Sequence, residues 1–313
     1  MFGTIDGVYQ LTEDPNLNLD EARGAKYIGY DAVGASYYDK DYADSACGRA
    51  DLLLAEAMAE RIGRGLLLDL GCDGGTHAVP VALRGCTVIA GDISQVMLTL
   101  LLRKAAANHV PPGRILPCRL NALAIPLADA SVDGVLASTM LHLISDHARV
   151  LSEMRRVLKP GGSLMLTTNS PGIRNGPAPA AGAAPAADDP NGAYLRLQGA
   201  FDGRYWEILN QWGVRASYAS WGFDQFAECA AAFGNMTHVH IPFEAPRTWT
   251  LEEAFLHRMR GRGYSRQQSV PDDLHRRAFA QVTAEFVDTY GPEFGSVRFA
   301  GGYDGLDLHV FTK

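Results

Sequence analysis

The stretch LLLDLGCDGGT at 66–76 concentrates the residue types most suited to chemistry. Glycines at a strand-to-helix turn let the backbone come close to a ligand, and the start of the next helix offers N–H groups to an anionic end. Asp92, in AGDIS, stands one strand further on. A carboxylate at that strand tip can accept both hydroxyls of a ribose, so the pair implies a nucleoside-containing ligand. The dinucleotide fingerprint G-x-G-x-x-G is not met, because Asp73 and Thr76 occupy its second and third glycine positions. That weakens a nicotinamide-dependent oxidoreductase. His142 follows a fourth strand, at the carboxyl edge where open α/β sheets bind ligands, and is the candidate general base. His238 and His240 share one face of a strand by period two, but no third ligand accompanies them, so no metal site is expected.

Positioning such groups takes alternating strands and helices. Between about 61 and 170 the short apolar runs LLLDL, TVIAGD, RILPCRLN, GVLAST and SLMLTTN alternate with helix-period stretches, as βαβ units require. Each run is continuously apolar, as a strand covered on both faces should be. Ser94 and Asp146 are N-caps for two of the helices, and Pro160-Gly161 stops the second of them. Pro80 falls early in the first helix and shortens or kinks it. Further strands are expected at 236–244 and 306–313, with helices near 250–262 and 271–290 between them.

The ordered motifs carry a resemblance. Asp69-x-Gly71-x-Asp73-x-Gly75, then GDIS at 91–94, then Asn121-Ala122 with IPLADASVDGVLAS and LHLI, then RRVLKPGG at 155–162, resemble the class I S-adenosylmethionine-dependent methyltransferases of small-molecule type. The match spans roughly residues 60–170. It implies a Rossmann-like, seven-stranded, mostly parallel sheet with helices on both faces and one reversed strand near its end. It also implies S-adenosylmethionine as cofactor. Carried over by position, Asp69, Gly71 and Gly75 would shape the methionine side, Asp92 would hold the ribose, and Ile93 would also contact the cofactor. Asn121 stands where the family usually has an Asp facing the adenine amino group, and its amide oxygen can still accept that bond. Ala122 would offer its backbone N–H, and Ser138 would lie near the amino-acid end. Asp73 departs from the pattern by replacing the middle glycine; it either contacts the ligand's ammonium or weakens binding. Tyr38, in an N-terminal segment similar to the family's cap, would set an aromatic face over the sulfonium.

The resulting organisation is an N-terminal helical cap (1–60), a cofactor-binding core (61–170), a flexible Pro/Ala/Gly loop (171–191), and a C-terminal part (192–313) with an aromatic-rich insertion and the last strands. Eight aromatics fall within 201–226, among them Trp206, Trp212 and Trp221, which suggests an acceptor pocket beside His142. With 313 residues, 20% charged and a formal net charge of −7, the chain has no basic patch for nucleic acid. No 18-residue apolar run marks a membrane span, and the start has no signal-peptide pattern, so a cytoplasmic protein is expected. The five cysteines are odd in number and show no C-x-x-C pair, so reduced thiols are expected. The function that follows is methyl transfer to an O, N or C atom of a small, partly apolar metabolite, compatible with a homo-oligomer. The alternative is an S-adenosylmethionine-binding protein without methyl transfer, a scaffold or cyclase-like enzyme.

Overall fold

The computed structural model describes residues 3–12, 46–144, 146–167, 190–215, 225–234, 236–242, 245–264, 267, 270–303 and 306–313. In chain order the elements are strands β1 (Thr4–Ile5) and β2 (Val8–Gln10), helix α1 (Ala46–Ile62), β3 (Leu66–Leu70), α2 (Ala78–Leu83), β4 (Thr87–Asp92), α3 (Gln95–Ala107), β5 (Ile115–Arg119) and β6 (Val132–Ser138). They continue with a 3-10 turn (Leu141–Leu143), α4 (His147–Val157), β7 (Leu158–Thr167), α5 (Pro190–Gln211), α6 (Gln225–Phe233), β8 (Met236–Ile241) and β9 (Ala245–Thr250). A π turn (Glu252–Leu256), α7 (His257–Arg260), α8 (Asp272–Tyr290), a 3-10 turn (Phe294–Ser296), β10 (Arg298–Tyr303) and β11 (Leu306–Thr312) complete the chain.

The chain divides into two units. The first holds Met1–Asn169, Tyr218–Phe243 and Gly305–Lys313, and the second Ser170–Ser217 with Glu244–Asp304. The stretch 192–313 is therefore shared between them.

In the first unit one sheet runs in the order β1-β2-β5-β4-β3-β6-β7-β11-β8. Strands β3 to β7 pair in parallel, and β11 is antiparallel to both β7 and β8. This is the expected Rossmann-like arrangement with one reversed strand, but the sheet has nine strands, not seven. The two extra strands are a hairpin turning at Asp6 (φ 49°) and Gly7 (φ 80°), and β2 adds in parallel to the edge of β5. Residues 4–10 are thus sheet, not part of a helical cap. A positive φ at both central residues suits the twist of a two-residue hairpin, and Asp-Gly supplies it.

The central strands are buried on both faces, with Leu67, Leu68, Val88, Val135, Leu136, Leu164 and Met165 all under 1% exposed. Helix α2 keeps only six residues. Pro80 is its third residue, where the missing N–H is one of those that no helical carbonyl would accept. Ser94 Oγ accepts the Met97 N–H at 3.2 Å and Asp146 Oδ1 the Arg149 N–H at 3.0 Å, the two expected caps. Cys72, Cys86, Cys118 and Cys229 are buried and free.

The second unit is an aromatic core. Phe201 and Tyr205 of α5 are fully buried, and Phe201 packs against Phe255, Phe279, Phe286 and Phe294 with ring centroids 5.0–6.4 Å apart. Trp206 belongs to this core and Trp212 packs on it. The aromatics of α5 are thus spent on packing. Tyr218, Trp221 and Phe223, and the Phe226 side chain, lie outside the described residues. Of the expected loop, 171–189 also lie outside them, while residues 190–191 open α5.

Candidate functional site

The carboxyl ends of β3, β4, β5 and β6 bring the predicted residues to one edge of the first unit. After β3 the chain turns back sharply: Gly71 (φ 74°) leaves no room for a side chain, since a Cβ there would stand 2.8 Å from Met140 Cβ. Gly75 (φ 88°) closes the turn, and its N–H donates to Cys72 O. Between them Asp73 takes a left-handed conformation (φ 47°), uncommon for a residue with a side chain. Its carboxylate accepts the Thr76 N–H at 3.2 Å and the Thr76 hydroxyl at 3.1 Å, straps that hold the turn shut.

Asp92 ends β4. Its Oδ2 accepts the Asp73 N–H at 3.1 Å and its Oδ1 the Ser94 N–H at 2.8 Å. These bonds fix both oxygens, and each retains a lone pair for a ligand hydroxyl. Ile93 follows, with its carbonyl accepting from Arg119 Nε at 2.9 Å.

Asn121 is buried just beyond β5. Its Oδ1 accepts the Leu123 N–H at 2.9 Å, while Nδ2 has no partner. Helix α4 pins this loop: Arg149 Nε donates to Leu123 O, and Arg156 Nη1 and Nη2 donate to the carbonyls of Leu127 and Ile125 at 2.7 and 2.6 Å. Ala122 is held between these anchors.

Ser138 ends β6, its Oγ 2.6 Å from Thr167 Oγ1 and 3.1 Å from Nε2 of His77. His77 was not among the predicted residues, and neither was Asp51 of α1. The His142 backbone lies in the 3-10 turn directly after β6, and its side chain is outside the described residues. Tyr38 lies outside them altogether. Away from this edge, His238 Nε2 and His240 Nδ1 lie 2.8 and 3.0 Å from the same Asp307 oxygen. Among the described residues no group of three or more His, Cys, Asp or Glu is placed to hold a metal.

The electrostatics of the edge are strained. Burial pushes the Asp73 and Asp92 carboxyls up to about 6, and burial together with the Asp73 charge lifts Asp51 to about 7. Asp69, 1% exposed, is raised well above the usual carboxylate range by burial and then by Asp73 and Asp92, although the Ala78 N–H supports it. Its Oδ2 has no partner. Asp69 Oδ2, Asn121 Nδ2 and His77 Nδ1 are three buried polar atoms left unpaired on one edge, each costing about 1–3 kcal/mol in the free protein. A crowd of carboxyls and unpaired buried atoms fits a ligand that brings cationic groups and hydrogen-bonding partners of its own.

Comparison with known proteins agrees. Residues 68–166 match the family described as Methyltransferase domain. The chain is 35% identical over 119 residues to a malonyl-acyl-carrier-protein O-methyltransferase of Enterobacter lignolyticus, covering 38% of this chain and 44% of that one. It is 29% identical over 166 residues to a demethylmenaquinone methyltransferase of Renibacterium salmoninarum, covering 53% and 56%. The chain thus spans about half the length of these relatives or less. Among solved structures, the YcgJ protein of Bacillus subtilis aligns with a TM-score of 0.50 at 15% identity, over 85% of this chain and 99% of that one, a likeness of fold.

Proposed function

We propose that residues 68–166, which match the Methyltransferase domain family, form a class I, S-adenosylmethionine-dependent methyltransferase domain, and that the chain transfers a methyl group from S-adenosylmethionine to an O, N or C atom of a small, partly apolar metabolite. The observation that carries the reading is the set of three unpaired buried atoms, Asp69 Oδ2, His77 Nδ1 and Asn121 Nδ2, gathered where the cofactor would lie. Such atoms are rare in folded proteins unless something pairs with them. When bound, the cofactor supplies a methyl group on a positively charged sulfur, already activated for in-line attack.

The protein's own work is then binding, orientation and exclusion of water. Asp92, its two oxygens fixed by the N–H groups of Asp73 and Ser94, is set to accept the ribose hydroxyls. Gly71 and Gly75 keep the turn clear, and Asp69 offers an acceptor toward the methionine side. Asn121 and the Ala122 N–H face the base. The acceptor approaches from the tip of β6, since the tips of β3 and β4 are given to the cofactor. His142, on the turn that follows β6, takes the acceptor's proton where one must be lost. A net charge of −7 favours a metabolite over nucleic acid as the acceptor.

Isothermal titration tests the reading. The full chain should bind S-adenosylmethionine, and Asp92→Asn should weaken it about 100-fold, because two charge-assisted bonds at about 1.5 kcal/mol each are lost. No binding by the parent chain, or an Asp92→Asn affinity within twofold of the parent, would refute it.

A further inference from the structure

His77 is 8% exposed and stands immediately before α2. Its Nε2 is 3.1 Å from Ser138 Oγ, which is 2.6 Å from Thr167 Oγ1, so one hydrogen-bonded chain joins the start of α2 to the ends of β6 and β7. Nδ1, on the other side of the ring, is buried without a partner. Burial lowers the imidazole pKa to about 4, so at neutral pH the ring carries one N–H and one lone pair.

Among the described residues, the backbone donors on either side of His77 are engaged. The Thr76 N–H goes to Asp73 and the Ala78 N–H to Asp69, while Lys104 lies against Gly74 on the α3 side and acts on Asp73. Among the described residues, the carboxyls of Asp51, Asp69, Asp73 and Asp92 act on one another at this edge. Such a lining suits the cationic groups of a sulfonium amino acid and disfavours its carboxylate.

Resting on the cofactor reading above, we infer that His77 is the residue that holds the carboxylate at the amino-acid end of S-adenosylmethionine, donating from Nδ1–H while Nε2 accepts the Ser138 hydroxyl proton. Ser138 Oγ in turn accepts from the Thr167 hydroxyl, so the bonds run in one direction from strand to ring to ligand and reinforce one another. Ser138 is then a positioning residue, acting on the ligand through His77.

The test uses the full chain and three probes in calorimetry: S-adenosylmethionine, its decarboxylated form, which keeps the sulfonium and the amine, and methylthioadenosine, which lacks the whole amino-acid end. In His77→Gln the amide reaches the place of Nε2, so the Ser138 contact is kept and the Nδ1–H is lost. In His77→Asn the amide stands where Nδ1 was. His77→Gln should weaken S-adenosylmethionine at least tenfold and leave the other two probes within twofold, and His77→Asn should restore most of the loss. Unchanged methylthioadenosine affinity reports that the variants are folded. Equal weakening of all three probes, an unchanged affinity for S-adenosylmethionine, or a matching loss for the decarboxylated probe would each overturn the assignment while leaving the cofactor reading standing. If the parent chain binds none of the three, both fall.

Discussion

The two units each bury a histidine, and the two are treated in opposite ways. His275, 3% exposed in the second unit, has Nδ1 2.8 Å from the Tyr205 hydroxyl and Nε2 3.1 Å from the Arg260 carbonyl. With the hydroxyl donating to one nitrogen and the other donating to a carbonyl, the ring is fully paired and its tautomer fixed. Gln267 beside it is satisfied too, its Nε2 donating to Met259 O at 2.9 Å and its Oε1 accepting the Tyr264 N–H. His77 in the first unit is buried too and keeps a nitrogen unpaired, in the company of Asp69 and Asn121. A polar residue that closes its own bonds stabilises a core. One that leaves them open costs stability and is ready for something that is not part of the chain.

Substitutions should therefore act in opposite directions in the two regions. The largest expected effect is at Phe201, the centre of the aromatic core. Phe201→Ala should cost about 3–5 kcal/mol of stability by denaturant unfolding, because four ring contacts become a cavity. A loss below about 1 kcal/mol would mean that this core is loosely packed.

Next comes the response of the carboxyl edge to pH. The folded-state values of Asp51, Asp73 and Asp92 lie above those of an unfolded chain, so their contribution to stability is fully present below about pH 4. It is lost as pH rises through about 6 to 7. A cationic ligand favours the charged carboxylates, lowers their pKa and releases protons. Affinity for S-adenosylmethionine should accordingly rise about fourfold between pH 5.5 and 7.5 for each carboxyl that titrates at about 6 in the free protein and stays ionised in the complex. Calorimetry in buffers of different ionisation enthalpy measures that release directly, and proton uptake would contradict it.

The smallest effect sharpens the contrast most. Asp69→Asn keeps an oxygen for the Ala78 N–H and removes one member of the carboxyl crowd, so it should stabilise the free protein by about 1 kcal/mol in a thermal melt. The same change should weaken cofactor binding. A destabilised variant would show that Asp69 serves the fold and not the ligand.

The parts of this arrangement that were legible in the sequence are the local ones. Strands β3 to β7 show as unbroken apolar runs because both their faces are covered, and the caps Ser94 and Asp146 stand at the helix starts they serve. The hairpin at 4–10 left a signal, Asp6-Gly7 between two short runs, but strands of two and three residues are too brief for a periodicity to register. Asp73 reads in the sequence as a departure that either contacts the ligand or weakens binding; that it also straps its own turn depends on a backbone conformation that composition does not reveal. His77 was illegible for a different reason. Its partner Ser138 is 61 residues away and Thr167 lies 29 further on, so only the folded sheet brings the three together. Within the aromatic segment, the packing of Phe201, Tyr205 and Trp206 was not legible, because burial and binding draw on the same side chains.

The position of β11 bears on how the chain is assembled in time. It lies between β7 and β8 in the sheet, although in sequence it follows both, and Glu244–Asp304, which belong to the second unit, come between β8 and β11. On a ribosome β8 emerges before its sheet neighbour, since among the described residues it pairs with β11. The first unit must hold that gap open until the intervening segment has been made, a long-range closure that slows folding and leaves strand edges exposed meanwhile. Completion of the central sheet thus comes well after strands β3 to β7 have been made.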